Sequence, residues 1–291
     1  MKRLCRIAAA LLTAFSLACL GSAKIAGALT RFVSVPLMRL LSLCSGSVPF
    51  PTAGFLLTAL VLMALAIRGC RRALAVLLAA LCLFTWIPPL GCKASPAFPA
   101  PSQSDTKRLC ESLIEQLNAS GRQTGNMPAL LSSAQAAMDS PFAPKAARYP
   151  EWMRLLRLSG LYLPLTGEAL VDPTRGAASL PFTAAHELAH ARGIADECAA
   201  NILAYESCVA RGGVSAYSAR LWALKYAAGN LTDAAWIERA LDADIAADYA
   251  AIPYDSTVSG GYARLADYLC FSGRPSSPAV LPSRRHRALL S

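Results

Sequence analysis

The pentad His186-Glu187-Leu188-Ala189-His190 constrains this chain more than any other stretch. Residues i and i+4 of a helix lie one above the other, so two imidazoles can face one metal ion while the carboxylate after the first His stands beside it. Hydrolytic zinc chemistry uses neutral imidazole ligands, an open position for water and a base to take the water's proton. The pentad therefore asks for a helix here. Its flanks, Phe182, Thr183, Ala184, Ala185, Leu188 and Ala189, give that helix an apolar surround, which favours a buried active helix over a solvated one that happens to carry two His. Gly193, three residues past His190, suits the sharp turn that ends it.

The third ligand is narrowed by elimination. The chain has three His, and the remaining one, His286, lies in the terminal Ser-Arg-Arg-His-Arg run, a poor place for a pre-organised ligand. A carboxylate is the better candidate, and Asp196 and Glu197 follow the turn. Asp196 occupies the third-ligand position of the metzincin spacing HExxHxxGxxH/D, but it also stands where a helix N-cap would. Glu197 opens Glu197-Cys198-Ala199-Ala200-Asn201, and Asn201, one turn later on the same face, can hydrogen-bond a metal-bound imidazole and hold its tautomer. Glu197 is preferred, with Asp196 the alternative.

Three strings, Leu161 to Ala169, Leu180 to Gly193 and Glu197 to Asn201, resemble in order and spacing the bacterial membrane family known as domain of unknown function 3810. The resemblance implies a zincin-like, gluzincin-type metallopeptidase with hydrophobic spans ahead of the HExxH domain. It implies Zn²⁺ on His186, His190 and Glu197, one ion per chain, with Glu187 as base, and it implies no substrate. One departure is that Cys198 and Ala199 interrupt the acidic run usual around the third ligand, which leaves the E-x-x-A-N frame intact.

Charge separates the chain into two parts. The whole carries +10 and is 55% hydrophobic, yet residues 1–93 hold ten Lys or Arg and no Asp or Glu, so the remaining residues balance at 18 of each sign. The basic excess belongs to a membrane region, and nucleic acid is excluded as a partner because the folded part has no basic surplus. Apolar spans at 7–23, 53–67 and 73–87 suggest three N-terminal transmembrane helices, each slightly short of the roughly 20 residues that cross a bilayer. The first can also be read as a cleaved signal peptide ending at Gly21-Ser22-Ala23; Ser16-Leu17-Ala18 is a poor lipobox for Cys19. Basic clusters at Lys2, Arg3 and Arg6 and at Arg68, Arg71 and Arg72 point to a multi-pass cell-membrane protein with an extracytoplasmic domain. The segment Arg31 to Val48 reads as a loop or as an amphipathic stretch on the membrane surface.

The expected organisation is a membrane domain at 1–93, a Pro/Ala/Ser-rich tether at 94–103, and a zincin-like domain at 104–291, mainly α (α+β) in class. Leu109, Leu113 and Leu117 have helical spacing, 121–150 is turn-rich, and 152–158 is a short helix or extended run. Leu161 to Val171 reads as a strand or hairpin, with Pro164 compatible with an edge, where an extended substrate can pair. Helices are expected at 197–211, 215–228, 233–251 behind a Thr232 cap, and 262–269, with Trp222, Tyr226, Trp236 and Ile237 in the core. Tyr262 or Tyr254, or else Arg264, can supply an oxyanion donor. The ten Cys include no CxxC pair; Cys198 and Cys208, about 15 Å apart on one helix, cannot bridge, and buried thiols are the default.

The function expected is a membrane-anchored zinc metalloendopeptidase acting on a peptide or protein substrate at the bilayer, with Glu187 as general base. The competing class is a non-catalytic membrane sensor or interaction protein that keeps a zincin fold and a structural zinc. A base beside the metal argues for the enzyme. An intramembrane protease is disfavoured, because His186 lies about a hundred residues past the last apolar span.

Overall fold

A computed structural model describes residues 21–46, 100–252 apart from Leu165, and 263–272, with a few isolated positions before Gly21. It is mainly helical with a small sheet, the class expected.

One apolar rod opens the described chain. Helix α1 (Ala23–Leu29) runs through a π-helical turn (Thr30–Ser34) into α2 (Val35–Gly46). The π turn follows from Pro36: a proline inside a helix has no N–H and its ring crowds the preceding turn, and here the Val35 N–H reaches back five residues to the Thr30 carbonyl. Within this rod Lys24–Ser45, 22 residues, is the single helix among the described residues that is long and apolar enough to cross a membrane.

That finding overturns the three-helix membrane domain. The spans at 53–67 and 73–87, and most of 7–23, lie outside the described residues, and the one candidate falls on the stretch expected to be a loop or an amphipathic segment on the membrane surface. Lys24, Arg31 and Arg39 interrupt its hydropathy at intervals of seven and eight residues, and Pro36 reads as a breaker, so the stretch looks like a connection until the π turn absorbs the proline. The multi-pass, extracytoplasmic placement was counted from three crossings and loses its footing with them. What stands is one N-terminal helix able to serve as a span or signal sequence.

The domain begins at α3 (Gln103–Ser120), capped by Ser102 and burying Leu109, Leu113 and Leu117 as their spacing requires. The turn-rich reading of 121–150 missed α4 (Met127–Ala137), which starts behind an Asn126 cap with Pro128 in its first turn and buries Leu130, Leu131 and Ala134. A two-residue strand β1 (Lys145–Ala146) and a short helix α5 (Glu151–Leu155) lead into β2 (Gly160–Leu163) and β3 (Glu168–Val171). The order is β1-β3-β2, with β1 parallel and β2 antiparallel to β3, so β2 is an edge as the hairpin reading expected.

Helix α6 (Leu180–Ala191) is the hub, buried along its whole length and packed against both strands, α4, α7 (Glu197–Arg211) and α8 (Gly213–Ala228). Phe182 stacks on Trp222 and Tyr226 of α8, ring centroids 6.0 and 6.5 Å away. The single helix expected at 233–251 is two, α9 (Ile237–Ala240) and α10 (Ala243–Ala251). Asn118 of α3 forces the break: its amide donates to the Ala240 carbonyl and accepts from the Asp242 N–H. Thr232 is no cap, because the next helix starts only at Ile237 and both its N–H and its hydroxyl go to Gln103 Oε1. A last helix, α11 (Ala263–Ser272), packs on α8, α7 and α3.

Candidate metal centre

The pentad lies on α6, entered through Pro181 in the first turn and left through Arg192 and Gly193. Gly193 has φ +85°, and a Cβ there would meet a Val35 methyl carbon of α2 at 2.6 Å, so the turn needs glycine for its backbone and for the close approach of the N-terminal rod. That turn brings the start of α7 back to α6. His186 Nε2 and His190 Nε2 stand 3.0 Å apart, and Glu197 places one carboxylate oxygen 3.1 Å from the first and the other 3.5 Å from the second. The three ligand atoms lie within 4.8 Å of one another. Both imidazoles are buried, while the Glu197 side chain is half exposed and leaves one side of the centre open to water.

His190 Nδ1 lies 2.6 Å from the Ile194 carbonyl, so it carries the proton and donates it, which turns the unprotonated Nε2 toward the cluster. Two imidazole nitrogens and a carboxylate oxygen converging, with one lone pair held inward, form an N,N,O donor set that could hold a metal ion. Asp196 is placed otherwise: its Oδ1 accepts the Ala199 N–H at 2.8 Å and caps α7. Asn201, one turn after Glu197, is wholly buried near His186, where its amide favours the charged imidazole, but neither of its amide atoms makes a hydrogen bond of ordinary geometry.

The charges match this arrangement. Burial alone would push His186 down, but the Glu197 and Glu187 carboxylates hold its pKa above the ordinary value. His190, buried and beside His186, falls to about 4. Burial also opposes ionisation of Glu197, yet the hydrogen bond from His186 and the charge of both imidazoles keep its carboxyl below the usual range. Glu187 differs. Burial lifts it to about 7 against the pull of His186, and the Tyr162 backbone amide donates toward it.

Gly160, at the start of the edge strand, is the residue that sequence reading missed. A Cβ there would sit 2.5 Å from Glu187 Oε1 and 2.8 Å from Glu187 Cγ, so β2 lies directly against the carboxylate. The signal was present in Ser159-Gly160 ahead of a strand, since a glycine at a strand start often marks a close approach. Tyr254, Tyr262 and the Arg264 side chain lie outside the described residues.

The described molecule is thus a mainly α domain with a three-stranded sheet, a helix-borne His-His-Glu cluster and an apolar N-terminal rod. Residues 90–253, more than half of the chain, match a family model described as a protein of unknown function, DUF3810, and the chain belongs to that family. No curated protein and no solved structure matches it.

Proposed function

We propose that the chain is a membrane-anchored, zincin-like metallopeptidase of the gluzincin type, with Zn²⁺ held by His186, His190 and Glu197. The observation that carries this reading is the convergence of the two Nε2 atoms and the Glu197 carboxylate beside a buried Glu187 that is not one of the three ligands. A purely structural site has no use for such a base. When bound, the ion supplies Lewis acidity that acidifies water and polarises a peptide carbonyl.

The protein's own groups supply the rest. Glu187 lies against β2 and takes a proton from water at Oε1 or Oε2, then returns it to the leaving amine. Burial raises its carboxyl above the ordinary range, which favours its holding a proton. Strand β2 pairs with β3 on one side only among the described residues, so its other edge is available to an extended substrate backbone. The Ile194 carbonyl orients the His190 imidazole.

The test is metal analysis of the purified full chain together with His186→Ala, Glu197→Ala, Asp196→Ala and Glu187→Gln. One zinc per chain, lost with His186→Ala and Glu197→Ala and kept with the other two, is the expected result. Hydrolysis of a mixed peptide library should then vanish in Glu187→Gln alone of the two zinc-retaining variants. A zinc-free parent sinks the reading.

A further inference from the structure

Eight large apolar side chains are exposed among the described residues, and they fall in two places. Ile25, Phe32, Leu40 and Leu43 lie on the outer side of α1–α2, and Tyr149, Trp152, Leu155 and Leu156 surround α5. Leu155 is 84% and Tyr149 67% exposed, values out of keeping with side chains that have found a core. Both segments interleave these residues with exposed cations: Lys24, Arg31 and Arg39 in the first, Arg148, Arg154 and Arg157 in the second. Glu151 is the one acid in 21–46 and 148–157 together, and Arg154 pairs with it.

The two segments are linked. The Lys145 ammonium donates to the Ser45 carbonyl at 2.9 Å, at the end of α2, and the same ammonium is bound to Glu168 of β3. Arg148 and Tyr149 follow Lys145 by three and four residues, within roughly 10–14 Å along an extended chain. The α5 patch therefore starts beside the end of the apolar rod. The opposite side of that rod is spent on the domain: Ser42 Oγ donates to the Gly167 carbonyl, Val35 fits against Gly193, and Met38 is buried in the domain core.

We infer that residues 148–157, with the outer side of α1–α2, form a surface that seats the domain on a bilayer containing anionic phospholipid. Trp and Tyr at headgroup level, Leu side chains below them, and Arg guanidinium groups at the phosphates are the composition that an interface between water and lipid selects. Six cations against one carboxylate supply the complementarity to an anionic headgroup layer. A protein partner would be expected to bury such a patch with acidic residues of its own, and it is the alternative outcome of the test.

The experiment reconstitutes the full chain into vesicles of phosphatidylcholine and phosphatidylglycerol whose acyl chains carry bromine, and follows quenching of tryptophan emission. The parent should show a quenched component that Trp152→Phe removes, and Arg148→Glu/Arg154→Glu should reduce that component. Far-ultraviolet circular dichroism of each variant, read in parallel, reports folding of the domain whether or not it holds a metal. Equal quenching in the parent and in folded Trp152→Phe overturns the inference. So does a Trp152 that stays accessible to aqueous iodide in the vesicles.

Discussion

Glu187 and Gly160 are fitted to each other, and a single methyl group tests the fit. In Gly160→Ala the added carbon must displace either the carboxylate or the strand, since no room exists beside Oε1 and Cγ. Overpacking of this kind costs about 1–3 kcal/mol, to be read as a lowered unfolding temperature, while under the proposed function zinc content should remain at the parent's level because none of His186, His190 and Glu197 is touched. Hydrolysis, if the proposed function holds, should fall much further than stability does. Activity equal to the parent's would show that β2 does not set the carboxylate's position. His186, Glu187 and His190 were legible because helical periodicity alone puts i and i+4 together. Glu197 could be favoured over Asp196 from its own helix, where the preceding residue is the natural cap. Gly160 was legible only as a sign of some close approach, because a glycine at a strand start does not say which side chain will press on it.

Thiols give a second prediction at this scale. Burial pushes Cys110 and Cys208 up to about 12, and Cys198 is also buried, whereas Cys44 on α2 is exposed. Alkylation reacts with thiolate, so the folded protein at pH 8 should label Cys44 before any of those three. Mass spectrometry of the labelled peptides checks the order, and early labelling of Cys208 would contradict its place in the core.

Elements show where pattern reading works and where it stops. Helix α7 appeared at the expected bounds, because Asp196 caps it and Gly212 ends it with signals that lie within the sequence itself. The break between α9 and α10 has no such local signal. It comes from Asn118, more than a hundred residues away, whose amide meets one carbonyl and one N–H. Asn118→Ala should cost about 1 kcal/mol, seen as a small drop in unfolding temperature and as faster hydrogen exchange at 240–243. No change in exchange there would mean that the junction holds itself. The rod at 23–46 is a different failure: its basic residues and Pro36 are ordinary warnings against a helix, overridden by a π turn and by the domain surface it packs on.

The whole molecule is tied together at the Lys145–Glu168 pair, whose side chains are 11% and 0% exposed. Removing one partner leaves a buried charge, so Lys145→Met should destabilise by about 3–5 kcal/mol, and Lys145→Met/Glu168→Leu should recover much of that loss. Thermal unfolding of the two variants side by side distinguishes them; equal losses would show that the ammonium's bond to Ser45 matters more than its charge partner. The same contacts alter what counts as a unit of this protein. A cut at the start of the Pro/Ala/Ser-rich stretch looks natural from the sequence, but residues 95–291 alone would lack Met38 from the core, Val35 from the Gly193 turn and Ser42 from the Gly167 carbonyl. The rod belongs with the domain, part of the foundation on which the candidate metal centre stands.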